Sequence, residues 1–72
     1  MDTPTLWVQD DGQPVTCTEK LRVLEENWTE LHDVVRDAFE DAVLMGVNEQ
    51  AMRDTLMALV ASLASPKKGQ AA

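Results

Sequence analysis

The sequence has very few of the residues that cross-link a small fold or carry out chemistry. Its 72 residues include one cysteine, Cys17, and one histidine, His32. An internal disulfide and a zinc site built from cysteine and histidine ligands are therefore excluded. The core of so short a chain usually contributes only a few kcal/mol of stability. Because a disulfide and a zinc site are both excluded, oligomerisation or binding to a larger partner remains as the way to stabilise the fold.

Positive charge and long apolar runs are also scarce. Six lysines and arginines stand against 13 acidic residues, for a net charge of −7. That sign argues against nucleic acid and anionic membranes as partners, and it permits a basic protein partner. No stretch approaches the roughly 20 apolar residues of a membrane span, and the first residues do not resemble a signal peptide. We therefore expect a soluble cytoplasmic protein, whose acidity serves either solubility alone or partner recognition as well.

The sequence does contain one long apolar stripe with the period of a helix. Its spacing alternates three and four residues, the a/d pattern of a coiled-coil seam. The stripe consists of Leu21, Leu24, Trp28, Leu31, Val35, Ala38, Ala42 and Met45. Thr16 and Glu19 match a capping box at its start, and Gly46 suits the left-handed position that ends a helix. The pattern predicts a helix over about residues 17–45.

A second, shorter helix is predicted over about residues 49–64. Asn48 is a favourable N-cap, and Ser65 avoids helical backbone because it precedes Pro66. The predicted inner face consists of Met52, Leu56, Leu59, Val60 and Leu63. The short connection favours an antiparallel pair. The predicted fold is thus all-α, an antiparallel αα-hairpin over residues 16–65 with a disordered tail over 66–72.

Residues 1–15 are predicted to form an extended arm or a small β-hairpin. Residues 5–9 favour β-structure, residues 10–12 are a turn signal, and residues 13–15 could return as a second strand. A lone two-stranded hairpin is marginal in water, so the arm needs a surface to rest on. Trp7 either docks on the protein's own helices or anchors a partner, and the sequence leaves both alternatives open.

The two predicted helices differ in length, which leaves part of the longer one uncovered. At 1.5 Å per residue they span about 42 Å and about 24 Å. Four seam residues then lack a helical neighbour, and soluble monomers rarely expose such a patch. We predict that this uncovered patch is a dimer or partner interface and that two hairpins join through it into a four-helix bundle. Its residues are Leu21, Leu24, Trp28 and Leu31.

Acidic residues follow one another along the opposite face of the long helix. This acidic ridge consists of Glu26, Glu30, Asp33, Asp37 and Glu40. Like charges at these spacings repel by a few tenths of a kcal/mol per pair. The ridge is therefore a candidate surface for a basic partner, with a simple solvated face as the alternative. Trp7 is the other candidate partner-binding residue.

Nothing in the sequence forms a recognised catalytic set. A Gly-rich phosphate loop, a Ser/His/Asp set and a Cys-x-x-Cys pair are all missing, and Thr29 stands where a Glu-x-x-His metal motif needs glutamate. We expect no catalytic, cofactor or metal-binding residues and no enzymatic activity. The leading hypothesis is a non-catalytic interaction protein, an accessory, adaptor or regulatory homodimer. The alternative is a small, permanently bound subunit of a larger enzyme or assembly.

Overall fold

The computed structural model describes residues 7–67, which contain two α-helices in the order α1, Thr18–Leu44, and α2, Glu49–Ala61. This part of the chain contains no strand beyond one isolated β-bridge, so the all-α class is confirmed. The chain divides into two compact units, one up to Ala38 and one from Phe39, and the boundary falls inside α1. Of the predicted tail, residues 68–72 lie outside the described residues.

Helix α1 begins one residue later than its predicted cap implies. The N–H of Leu21 donates to the carbonyl of Cys17 at 2.9 Å, which is the first intrahelical bond and places Cys17 at the N-cap. The predicted capping box is therefore wrong. Among residues 7–67, no hydrogen bond joins the Thr16 hydroxyl to the Glu19 backbone. One residue of difference moves Thr16 out of reach, and the Cys17 side chain takes its place.

The C-terminal end of α1 is closed by a Schellman motif around Gly46. The N–H of Gly46 donates to the Val43 carbonyl at 3.0 Å, and that of Val47 donates to the Ala42 carbonyl at 2.9 Å. Gly46 has a φ of +101°, which side chains with a Cβ rarely adopt. Gly46 thus ends α1 as predicted.

We expect Gly46→Ala to destabilise the hairpin by about 1 kcal/mol, because alanine must adopt the left-handed backbone. No atom would contact the added Cβ within 4 Å, so the cost is conformational. Urea unfolding followed by circular dichroism measures it. Gly46→Asn is the matched control, since asparagine tolerates this conformation better. Equal stability of all three proteins would contradict the Schellman ending.

Helix α2 begins as predicted and ends early. The Asn48 side chain accepts a hydrogen bond from the N–H of Ala51 at 2.9 Å. At the other end, the Ser62 hydroxyl donates to the Leu59 carbonyl at 2.7 Å, and the N–H of Leu63 donates to the Val60 carbonyl at 3.2 Å. These bonds span three residues instead of four and tighten the last turn. The helix therefore ends at Ala61, three residues before the predicted end.

The covered face of α1 differs from the predicted seam at two internal positions. His32 and Phe39 are half-buried, whereas their neighbours Leu31 and Ala38 are exposed. A strict 3.5-residue repeat drifts about 20° per heptad around a straight helix of 3.6 residues per turn. Burial follows one fixed face of the helix, so the seam positions Leu31 and Ala38 rotate out of it, whereas Val35 and Ala42 stay covered. Met45, the last predicted seam residue, lies beyond the helix and is exposed.

Candidate protein-interaction surfaces

Residues 7–15 form a tight turn that brings Trp7 and Val15 together. The N–H of Val15 donates to the Trp7 carbonyl at 2.7 Å, and that of Gln9 donates to the Gln13 carbonyl at 2.8 Å. Val8 and Pro14 form an antiparallel bridge. These two hydrogen bonds flank the Val8–Pro14 pair, so the missing N–H of proline removes no bond from this bridge. Residues 1–6, including the start of the predicted first strand, lie outside the described residues.

Trp7 packs on α1 through an aromatic pair. Its ring centroid lies 6.2 Å from that of Trp28, with an interplanar angle of 75°. This is the edge-to-face geometry that aromatic rings prefer, with a contribution of about 0.5–1.5 kcal/mol beyond buried area. Of the two alternatives for Trp7, contact with the protein's own helix is therefore observed.

Within the described residues 7–67, the indole N–H of Trp7 has no hydrogen-bond acceptor, although the nitrogen itself is buried. An unpaired buried donor costs about 1–3 kcal/mol, which offsets the gain from stacking on Trp28.

Three of the four predicted interface residues are partly covered within their own chain. Leu21, Leu24 and Trp28 are half-buried, and the arm contributes to this cover through Trp7. Leu31 is the exception, with 55% of its surface exposed. The predicted surface is therefore divided into a shielded part and an open part.

The acidic ridge lies on the solvent side of α1 throughout. All five of its carboxylates are exposed. Arg36 lies within it, 3.8 Å from a carboxylate oxygen of Asp33 and 3.4 Å from one of Asp37. Exposed pairs of this kind contribute at most about 1 kcal/mol each. One arginine partly neutralises two of the five acids, and the ridge keeps its negative sign.

Helix α2 carries an open apolar surface that the sequence pattern assigned to the interior. Met52 and Leu56 of the predicted inner face are half-buried. Val60 and Leu63, from the same face, are 65% and 72% exposed, and Leu59 is exposed as well. Leu56, Met57, Val60 and Ala61 line a shallow apolar groove. The second half of the predicted inner face is therefore exposed.

The clearest contact between the helices in the second unit is polar–aromatic. The Arg53 guanidinium lies over the Phe39 ring, 4.9 Å from its centroid, and one of its nitrogens lies 3.9 Å from a Glu49 carboxylate oxygen. Such a cation–π contact contributes about 0.5–1 kcal/mol at an exposed site. No periodic pattern marks Arg53 as a contact residue, so sequence reasoning missed it.

The side chains best suited to reactivity or metal binding are Cys17 and His32, the single cysteine and the single histidine of the sequence. The backbone N–H groups of Lys20 and Glu19 lower the pKa of the exposed Cys17 thiol, because they donate to the thiolate. His32 places its Nδ1 3.5 Å from a carboxylate oxygen of Asp33. Among residues 7–67, no three histidine, cysteine or acidic side chains converge on a possible metal site.

Comparison with known proteins gives no further indication of what these surfaces bind. No family model, curated protein or solved structure matches this chain. Neither α1 nor α2 combines the length and apolar composition needed to cross a bilayer.

Proposed function

We propose that this protein is a non-catalytic protein-interaction module, a small acidic accessory, adaptor or regulatory protein that acts as a homodimer. The observation that carries the proposal is the near-absence of buried side chains: between residues 7 and 67, only Ala42 is buried, at 8% exposure. Large apolar side chains on both helices are exposed instead. Contiguous exposed apolar surface of this kind marks protein-binding sites.

The open surface of α2 is the most favourable place for two copies to meet. From Thr55 to Pro66 the chain has no charged side chain, so two copies of a protein with net charge −7 can approach there without direct like-charge contact. Leu59, Val60 and Leu63 supply the apolar area. A dimer contact through the interface predicted from the sequence remains a prediction and requires the arm to move away from Trp28. That interface consists of Leu21, Leu24, Trp28 and Leu31.

A small subunit bound permanently to a larger assembly is the second candidate. The same exposure of apolar side chains supports it, because another protein can cover them as well as a second copy can. The isolated chain would then lack a fixed tertiary structure. A sharp thermal transition and a dispersed NMR spectrum of the isolated protein would count against this candidate.

We also propose a cytoplasmic location. The support is the exposed free thiol of Cys17, since cytosolic reductants keep such thiols from forming disulfides. Cell fractionation with antibody detection tests this location, and recovery of the protein from an oxidising compartment would contradict it.

The oligomeric state tests the main proposal directly. Multi-angle light scattering at micromolar concentration is expected to give about twice the 8.0 kDa of one chain. The measurement is made under reducing conditions, because Cys17 could otherwise link two chains covalently. A folded monomer at 8.0 kDa would contradict the homodimer.

A further inference from the structure

An exposed apolar strip on α1 lies directly beside the acidic ridge. This strip consists of Val23, Leu31, Val34 and Ala38. Val34 is its most open large side chain, at 66% exposure. Residues three and four apart are neighbours on a helix surface, so Val34 lies between Glu30 on one turn and Asp37 on the next. Exposed Asn27 lies between Val23 and Leu31 on the same face and interrupts the strip with one polar side chain. The strip and the ridge therefore lie side by side along α1, mostly apolar on one side and anionic on the other.

The N-terminal end of the strip opens into a groove. Val15 of the arm lines this open apolar groove together with Val23 and Leu24 of α1, and Glu19 and Lys20 complete its lining. From Val23 to Val34 the strip spans about 16 Å at 1.5 Å per residue. This length matches about three turns of a partner helix.

The charges beside the strip indicate which kind of partner can bind there. Between residues 7 and 67, neither Glu26 nor Glu30 takes part in an ion pair. A second copy of this chain would bring another acidic ridge to the same place, and like charges across an interface are unfavourable. A helix with lysine or arginine along one edge would pair with these carboxylates instead.

We propose that the strip and the acidic ridge together bind a basic amphipathic helix of another protein, with apolar side chains on the strip and cationic side chains on Glu26 and Glu30. This inference rests on the proposed interaction function and names the partner class. It uses α1, whereas the proposed self-association uses α2. Lys20, at the groove, disfavours a cationic residue at that end, and Arg36, which pairs with Asp33 and Asp37, disfavours one at the other end. The charges of the partner helix therefore lie beside Glu26 and Glu30.

The test uses a fluorescently labelled model peptide of about three helical turns, with leucines at heptad spacing and lysines along one edge. Fluorescence anisotropy is expected to show saturable binding that weakens as salt is added. A peptide with glutamate in place of each lysine is expected to bind at least tenfold more weakly. Equal binding of the two peptides would overturn the proposal.

Two pairs of variants locate the surface. Val34→Ala removes exposed methyl groups and is expected to weaken binding about tenfold, while Ala58→Ser on α2 leaves it unchanged.

Glu30→Lys is expected to weaken binding by a similar factor at low salt. Glu25→Lys makes the same charge change on α1 away from the strip, and it is expected to have a smaller effect. Equal effects of the two lysine variants, or an unchanged affinity of Val34→Ala, would overturn the assignment to this surface.

Light scattering of the same samples separates this inference from the proposed function. A dimer that binds neither peptide overturns the basic-helix partner and leaves self-association standing. A monomer that binds the lysine peptide with the expected variant effects contradicts the homodimer and supports the basic-helix surface.

Discussion

Ala42→Asp is expected to abolish the cooperative unfolding transition of the hairpin. Ala42 is the most deeply covered side chain between residues 7 and 67, and its carbonyl accepts the Val47 N–H that closes the end of α1. An aspartate there places a carboxylate in a covered position, at a cost of several kcal/mol. It also places a negative charge in the last turn of α1, against the helix dipole. A domain of this size has only a few kcal/mol of stability in total.

Ala38→Asp is the matched control for this variant. It lies one turn earlier on α1 and is exposed. Both variants lose the same helix propensity, about 0.7 kcal/mol or less, and both add one negative charge. We therefore expect Ala38→Asp to shift the urea midpoint modestly and to keep the transition sharp by circular dichroism. If the two variants unfold alike, Ala42 is not the packed position in solution.

Val60→Asp is expected to dissociate the proposed dimer. The proposed contact lies on an uncharged part of α2, so in that dimer the substitution would place one new carboxylate from each copy near the shared surface. Like charges across an interface cost several kcal/mol, which corresponds to a dissociation constant raised at least about 100-fold. Sedimentation equilibrium over a concentration series measures this change.

Ala58→Asp controls for the added charge. Ala58 is also exposed on α2, and it lies about 200° around the helix from Val60 at 100° per residue. This variant is expected to keep most of the dimer. A dimer that survives Val60→Asp would place the contact elsewhere, and equal loss in both variants would assign the effect to net charge alone.

Local signals in the sequence predicted the ends of the hairpin connection well. Gly46 ends α1 through its own left-handed backbone, and the Asn48 side chain caps the first turn of α2. Both effects involve only neighbouring residues, so no distant contact is needed to predict them. The end of α2 was less predictable. The residue before Pro66 marks where a helix has to stop, whereas α2 ends earlier, at Ala61, where the backbone N–H groups of Ser62 and Leu63 bond to carbonyls three residues back.

The surfaces depend on which neighbours reach each helix face, and periodicity does not supply that information. The pattern placed Leu59, Val60 and Leu63 inside because they are apolar and correctly spaced, but their surroundings leave them exposed. It left open whether Trp7 rests on the protein itself, which the contact with Trp28 answers. The acidic ridge could be predicted as a solvent face because charge alone keeps such a row in water.

The paired indoles have a practical consequence for studying this protein. Trp7 and Trp28 are the only two tryptophans in the chain, and in the docked arm they touch each other. Intrinsic fluorescence therefore comes from the arm and from the surface that the arm covers. The emission can serve as a label-free optical signal for movement of the arm, and a Trp7→Phe variant would leave Trp28 as the single emitter.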